Sequence, residues 1–139
     1  MIDVNDLMLG NFVSTKDGVV LVGKIHRESV ADKWGGIYFD DEIEGIEVTG
    51  ELLEKMGFEK VHHLMEEDTL YQYWSKDVLY KLEVDGVFIN GDRKWHLNVD
   101  NQRCCYIGSG EFTYVHELMN LVRVITGCEL KIEKEVFYV

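Results

Sequence analysis

The segment that most constrains this chain is Tyr114-Val115-His116-Glu117-Leu118-Met119-Asn120-Leu121-Val122-Arg123-Val124-Ile125-Thr126-Gly127. Val115, Leu118, Met119, Val122 and Ile125 recur at the spacing of an amphipathic helix. Thr113 or Ser109 can cap its start, and Gly127 stands where a left-handed residue stops a helix. The spacing predicts a helix over 112–126 whose apolar stripe must be covered by other elements.

Strand signals precede it. In the first 48 residues, 11–15 and 19–25 flank Lys16-Asp17-Gly18 as a hairpin, and Gly35-Gly36 opens a third strand at 37–39. Short strands with glycine turns predict a small SH3-like or half-barrel segment. Thr49 reads as the cap of a two-turn helix carrying Leu52, Leu53 and Met56, supported by a Glu51–Lys55 pair and ended by Gly57. From 70 to 107 the chain predicts an antiparallel meander with strands 70–75, 78–84, 87–89, 93–99 and 102–107. Its turns are placed at Lys76-Asp77, Asp85-Gly86, Asn90-Gly91 and Asp100-Asn101.

Alternation is clean where Trp95, Leu97 and Val99 oppose Lys94, His96 and Asn98, and where Tyr80, Leu82 and Val84 oppose Leu79, Lys81 and Glu83. One packed and one wet face imply cover by helix 112–126. The stretches 128–132 and 136–139 are expected to close the sheet as strands. The fold class is therefore α+β: a small β segment (1–48), then helix, antiparallel sheet and C-terminal helix (49–139), expected to form one compact unit.

The charge is uneven. Residues 1–68 hold 16 acids against 6 Lys/Arg, whereas 69–139 hold 10 against 8. The acidity peaks at Asp40, Asp41, Glu42, Glu44 and Glu47, which disfavours binding to phosphate backbones and suits a basic protein partner. The competing reading is a solvated face that keeps the protein soluble. No apolar run reaches the roughly 20 residues of a membrane helix, and the start lacks a basic n-region, so a cytoplasmic setting is expected. A homo-oligomer stays open.

Catalytic signals are sparse. Three cysteines, Cys104, Cys105 and Cys128, make no disulfide framework and are read as reduced, packing thiols. His62-His63 with Glu66-Glu67-Asp68 form a polar cluster without metal-ligand spacing, read as a loop. His96 or His116 with Cys104 or Cys105 offers a small enzyme's dyad as the alternative function. His116 and Asn120 share a helix face and are candidate ligand contacts or buried hydrogen-bonding groups. Tyr71, Tyr73, Trp74, Tyr80 and Trp95 could stack bases, but core and cross-strand pairs explain them more simply. No phosphate-binding loop or nucleophile elbow is present, and no metal or cofactor is expected.

Three pieces resemble a family of small uncharacterised proteins from phages, prophages and mobile elements of gut Bacteroidetes. They are Asp6-Leu7-Met8-Leu9-Gly10-Asn11-Phe12-Val13, the stretch 46–59 around Thr49-Gly50-Glu51-Leu52-Leu53 and Gly57-Phe58, and Tyr114-Val115-His116-Glu117-Leu118-Met119-Asn120-Leu121 with Thr126-Gly127-Cys128-Glu129-Leu130. Glu117 and Met119 stand where the family commonly has glutamines. The resemblance implies a phage or mobile-element context in a bacterial cytoplasm, and it carries over no established activity. The expected function is a non-enzymatic protein-interaction module.

Overall fold

The computed structural model describes residues 2–63, 69–74, 80–89, 92–101 and 105–138. The fold is α+β, with antiparallel sheets and one long helix near the C-terminus. The chain divides into two units, Met1–Glu47 with Tyr114–Asn120, and Val48–Thr113 with Leu121–Val139.

In the first unit a 3-10 turn at Val4–Asp6 leads into the hairpin β1 (Phe12–Thr15) and β2 (Gly18–Leu21). Thr15 Oγ1 accepts from Asp17 N and donates to Gly18 O, which fixes the turn that Gly18 completes at φ +101. The expected strand 19–25 is interrupted. Val22 N donates to Asn11 O, but Gly23 N donates to Ala31 O, so the chain changes partner there. A Cβ on Gly23 would lie 3.2 Å from Lys33 N, so the crossing backbones need a glycine. Beyond it, β3 (Lys24–Ile25), β4 (Ser29–Ala31) and β5 (Ile37–Phe39) form a three-stranded sheet in that order. Val4, Leu7, Val13, Val20, Val22, Val30, Tyr38 and Ile43 make the core of this unit.

In the second unit α1 (Gly50–Lys55) is capped by Thr49, whose Oγ1 accepts from Leu52 N. The expected Glu51–Lys55 pair is present at 3.5 Å. Five antiparallel strands follow in the order β10-β9-β8-β7-β6: β6 (Glu59–His63), β7 (Thr69–Trp74), β8 (Lys81–Ile89), β9 (Asp92–Asp100) and β10 (Tyr106–Phe112).

Four expectations need correction in this unit. The His62-His63 segment is part of edge strand β6, not a loop. Asp85-Gly86 makes no turn; β8 runs through it, and Gly86 pairs with Trp95. The last strand is β10, seven residues that extend past 107 to Phe112. The segments 128–132 and 136–138 form no strand; Leu130 is buried between exposed Glu129 and Lys131, and a 3-10 turn follows at Lys134–Phe137. Lys76-Asp77, Asn90-Gly91, Cys104 and the carboxylates Glu66-Glu67-Asp68 lie outside the described residues.

The expected alternation holds in β9. Trp95, Leu97 and Val99 are buried and pair with Phe112, Gly110 and Gly108, which therefore share their face. Helix α2 (Val115–Thr126) starts three residues later than expected, because Phe112 still belongs to β10. Its Leu121 and Ile125 press onto that face at the glycines: a Cβ would lie 2.6 Å from Leu121 Cδ2 at Gly110 and 2.8 Å from Ile125 Cγ2 at Gly108. The glycines therefore let helix and strand approach closely.

Candidate functional site

The acidic segment follows β5 directly. Asp40–Glu42 form a 3-10 turn, and Glu42 Oε1 accepts from Phe39 N at 3.2 Å. Glu44 exchanges backbone hydrogen bonds with Ser14 at 2.9 Å in both directions, and Glu47 forms a bridge with Tyr114. Ile43, between Glu42 and Glu44, is fully buried. The backbone is thus fixed at several points, while Asp40, Asp41, Glu44 and Glu47 stay exposed and Glu42 is half-buried. Lys16 lies 3.5 Å from Glu42, a largely solvent-screened pair of small energetic weight. The segment is a held, strongly negative strip.

His116 and Asn120 lie in the part of α2 that belongs to the same unit. Tyr114 N donates to Glu117 Oε1, and Val115 N donates to Ile46 O, which orders the helix start. The Tyr114 ring covers Gly45 so closely that a Cβ there would lie 2.6 Å from its Cγ. His116 stacks on the same ring at 5.7 Å between centroids. Asn120 is a clamp: its Nδ2 donates to Asp6 O at 2.9 Å, and its Oδ1 accepts from Asn11 Nδ2 at 2.9 Å. Asn11 Oδ1 in turn accepts from Met8 N. Both ends of the Asn120 amide are therefore engaged within the fold.

His116 is buried, and its Nδ1 has no hydrogen-bond partner. Burial pushes the imidazole pKa below its ordinary 6.5, against smaller upward pulls from the Glu117 and Asp6 carboxylates. A pKa lower in the folded state than in the unfolded chain gives stability that is complete above about pH 6.5. That stability is lost as pH falls through the folded-state value. Urea unfolding midpoints between about pH 8 and pH 5 should therefore decline more steeply in the wild type than in His116→Gln. Parallel profiles would remove His116 as the source.

The elements do not assemble a His–Cys dyad among the described residues of the sheet. His96 pairs with Glu111 on β10 and its Nε2 lies 3.3 Å from Asn98 Oδ1. Cys105 precedes Tyr106, which pairs with Asp100. Four positions of ladder separate His96 from Asp100, roughly 13 Å at the usual strand rise. Cys105 is exposed, correcting the expectation of a packed thiol; it lies just before β10, and its N donates to Asn101 Oδ1 at 3.0 Å. Cys128 is half-buried. Tyr71 and Trp95 are buried in a T-shaped pair at 6.0 Å, so neither ring offers a base-stacking platform.

No group of three His, Cys, Asp or Glu side chains is placed to hold a metal, and no helix is long and apolar enough to cross a membrane, among the described residues. No protein-family model, curated protein or solved structure matches the chain.

Proposed function

We propose that this protein is a non-enzymatic interaction module of a phage or mobile element, docking a basic protein partner through Asp40, Asp41, Glu42, Glu44 and Glu47. The observation that carries the reading is the fixed backbone beneath exposed carboxylates: burial of Ile43, the Ser14–Glu44 hydrogen bonds and the Glu47–Tyr114 bridge hold the strip before any partner arrives. Preorganised charge lowers the ordering cost of association. The strip emerges from short antiparallel strands that suit an SH3-like half-barrel, and Asn11 and Asn120, from two of the stretches that carry the family resemblance, are hydrogen-bonded to each other. Phosphate backbones are repelled by the same charge.

With a partner captured from cell lysate and then purified, association should slow as salt shortens the Debye length from about 10 Å at 0.1 M. Reversing the charge at Asp40, Asp41 and Glu44 to lysine should reduce the association rate more than it raises the dissociation rate, since exposed charges act through steering. Binding kinetics indifferent to both salt and charge reversal would remove the acidic strip from the function.

A further inference from the structure

The hairpin that leads into the acidic strip exposes three large apolar side chains. Trp34 is 71% exposed, Ile37 59% and Phe39 55%. Ile37 and Phe39 project from one face of β5, while Tyr38 between them turns inward to the core and donates from its hydroxyl to Asp17 Oδ2 at 3.0 Å. Opposite them on β4 stand small residues, Ala31 against Ile37 and Ser29 against Phe39, which leave the larger side chains proud of the sheet. Trp34 sits on the connecting turn, and that turn is held: Asp32 Oδ1 accepts from both Trp34 N at 2.9 Å and Gly36 N at 2.8 Å. One hairpin thus carries a held turn with an exposed Trp34 and a strand face with exposed Ile37 and Phe39, the kind of apolar exposure a docking surface uses.

Charge selects the occupant. Residues 37–47 hold five acids and no Lys or Arg, and Asp40 N donates to Glu28 O, bringing the exposed Glu28 alongside the strip. Of the cations nearby, Lys33 lies over the Trp34 ring, 4.6 Å from its centroid, so that ring already holds a cation on its face. A second copy of this chain, at net charge −12, would set acid against acid. An anionic membrane would meet the same repulsion. The outer edge of β5 is guarded where the Glu42 carboxylate takes the Phe39 N–H, which favours docking on the side chains over strand addition.

We infer that Trp34, Ile37 and Phe39 form the apolar anchor site for a cationic protein segment that alternates Lys or Arg with apolar residues, its charges falling on Asp40, Asp41 and Glu28. The inference rests on the proposed acidic docking and adds what is recognised between the charges.

The test titrates the full-length isotope-labelled protein with a lysine–leucine dodecapeptide and a lysine–serine dodecapeptide of equal charge. The lysine–leucine peptide should shift the Trp34 indole N–H and the amides of residues 34–41, and bind about tenfold more tightly than the lysine–serine peptide, the scale of a buried aromatic anchor. The double variant Trp34→Ala, Phe39→Ser removes only exposed side chains, so it should keep the wild-type amide spectrum outside the hairpin while losing that preference. Equal affinity for the two peptides, or a preference that survives the double variant, overturns the apolar site; if Asp40→Lys, Asp41→Lys still abolishes binding, the acidic docking stands. Failure of the lysine–leucine peptide to bind, or binding untouched by that charge reversal, overturns both. Wild-type dimerisation or sedimentation with phosphatidylcholine vesicles, either one lost in the double variant, would reassign the hairpin to self-association or to a membrane.

Discussion

Replacing Trp95 by alanine should destabilise the sheet unit by about 3–5 kcal/mol, the usual cost of emptying a site filled by a large aromatic. The ring is buried on β9, opposite Gly86 on β8 and Phe112 on β10, and meets the edge of Tyr71 at 6.0 Å. Its Nε1 donates to Val48 O at 2.9 Å, a buried bond that ties the residue before the Thr49 cap of α1 to the sheet. Trp95→Phe separates the two contributions. It keeps most of the apolar volume but leaves the Val48 carbonyl without that donor, so about 1–3 kcal/mol should be lost. Equilibrium urea unfolding of the three proteins checks both figures. Equal losses for the two variants would assign the whole effect to the hydrogen bond; a phenylalanine variant as stable as the wild type would show that the bond contributes nothing net.

The same residue shows how far a sequence carries the fold. Trp95, Leu97 and Val99 are legible because every second residue is apolar and the intervening ones are polar. Helix α1 is legible because Thr49, Glu51 and Gly57 independently mark cap, first turn and stop. Where local cues and pairing disagree, pairing prevails. Asp85-Gly86 has the composition of a hairpin turn, yet β8 pairs with β9 from Lys81 to Ile89 without a break. Strand β10 hides behind Gly108-Ser109-Gly110, whose glycines carry no apolar signal and are explained only by Leu121 and Ile125 pressing on them. Strand β4 is three residues long, and one of its buried members is Ser29.

The candidate site divides along similar lines. Its acidity stands in the sequence, since charge needs no fold to be counted. The outward face of β5 does not, because Ile37, Tyr38 and Phe39 are all apolar or aromatic and alternation is invisible within them. Only the inward turn of Tyr38, with its hydroxyl reaching Asp17, shows which two of the three face outward. His116 and Asn120 share a helix face as the spacing implies, but their environments differ. Asn120 spends its amide on Asp6 and Asn11, while His116 stacks on Tyr114 with a buried nitrogen unpartnered.

Leu118→Ala should cost about 2–5 kcal/mol, the range for truncating a buried leucine whose surroundings cannot fully collapse. Leu118 is fully buried, one turn after Val115 and one before Val122, which are buried as well. Three consecutive turns of α2 thus commit the same stripe to the interior, and the middle position has the least freedom to relax toward solvent. Val124 supplies the internal control, because it lies on the same helix and is exposed. Val124→Ala trades a β-branched residue for a better helix former at a site without burial, so its effect should stay within about 0.5 kcal/mol. The pair therefore separates packing from helix propensity: alanine favours the helix at both positions, and only loss of buried volume can make one substitution costly. Urea unfolding of both variants measures the difference. A Leu118→Ala protein as stable as Val124→Ala would mean that the apolar stripe of α2 does not hold the fold together.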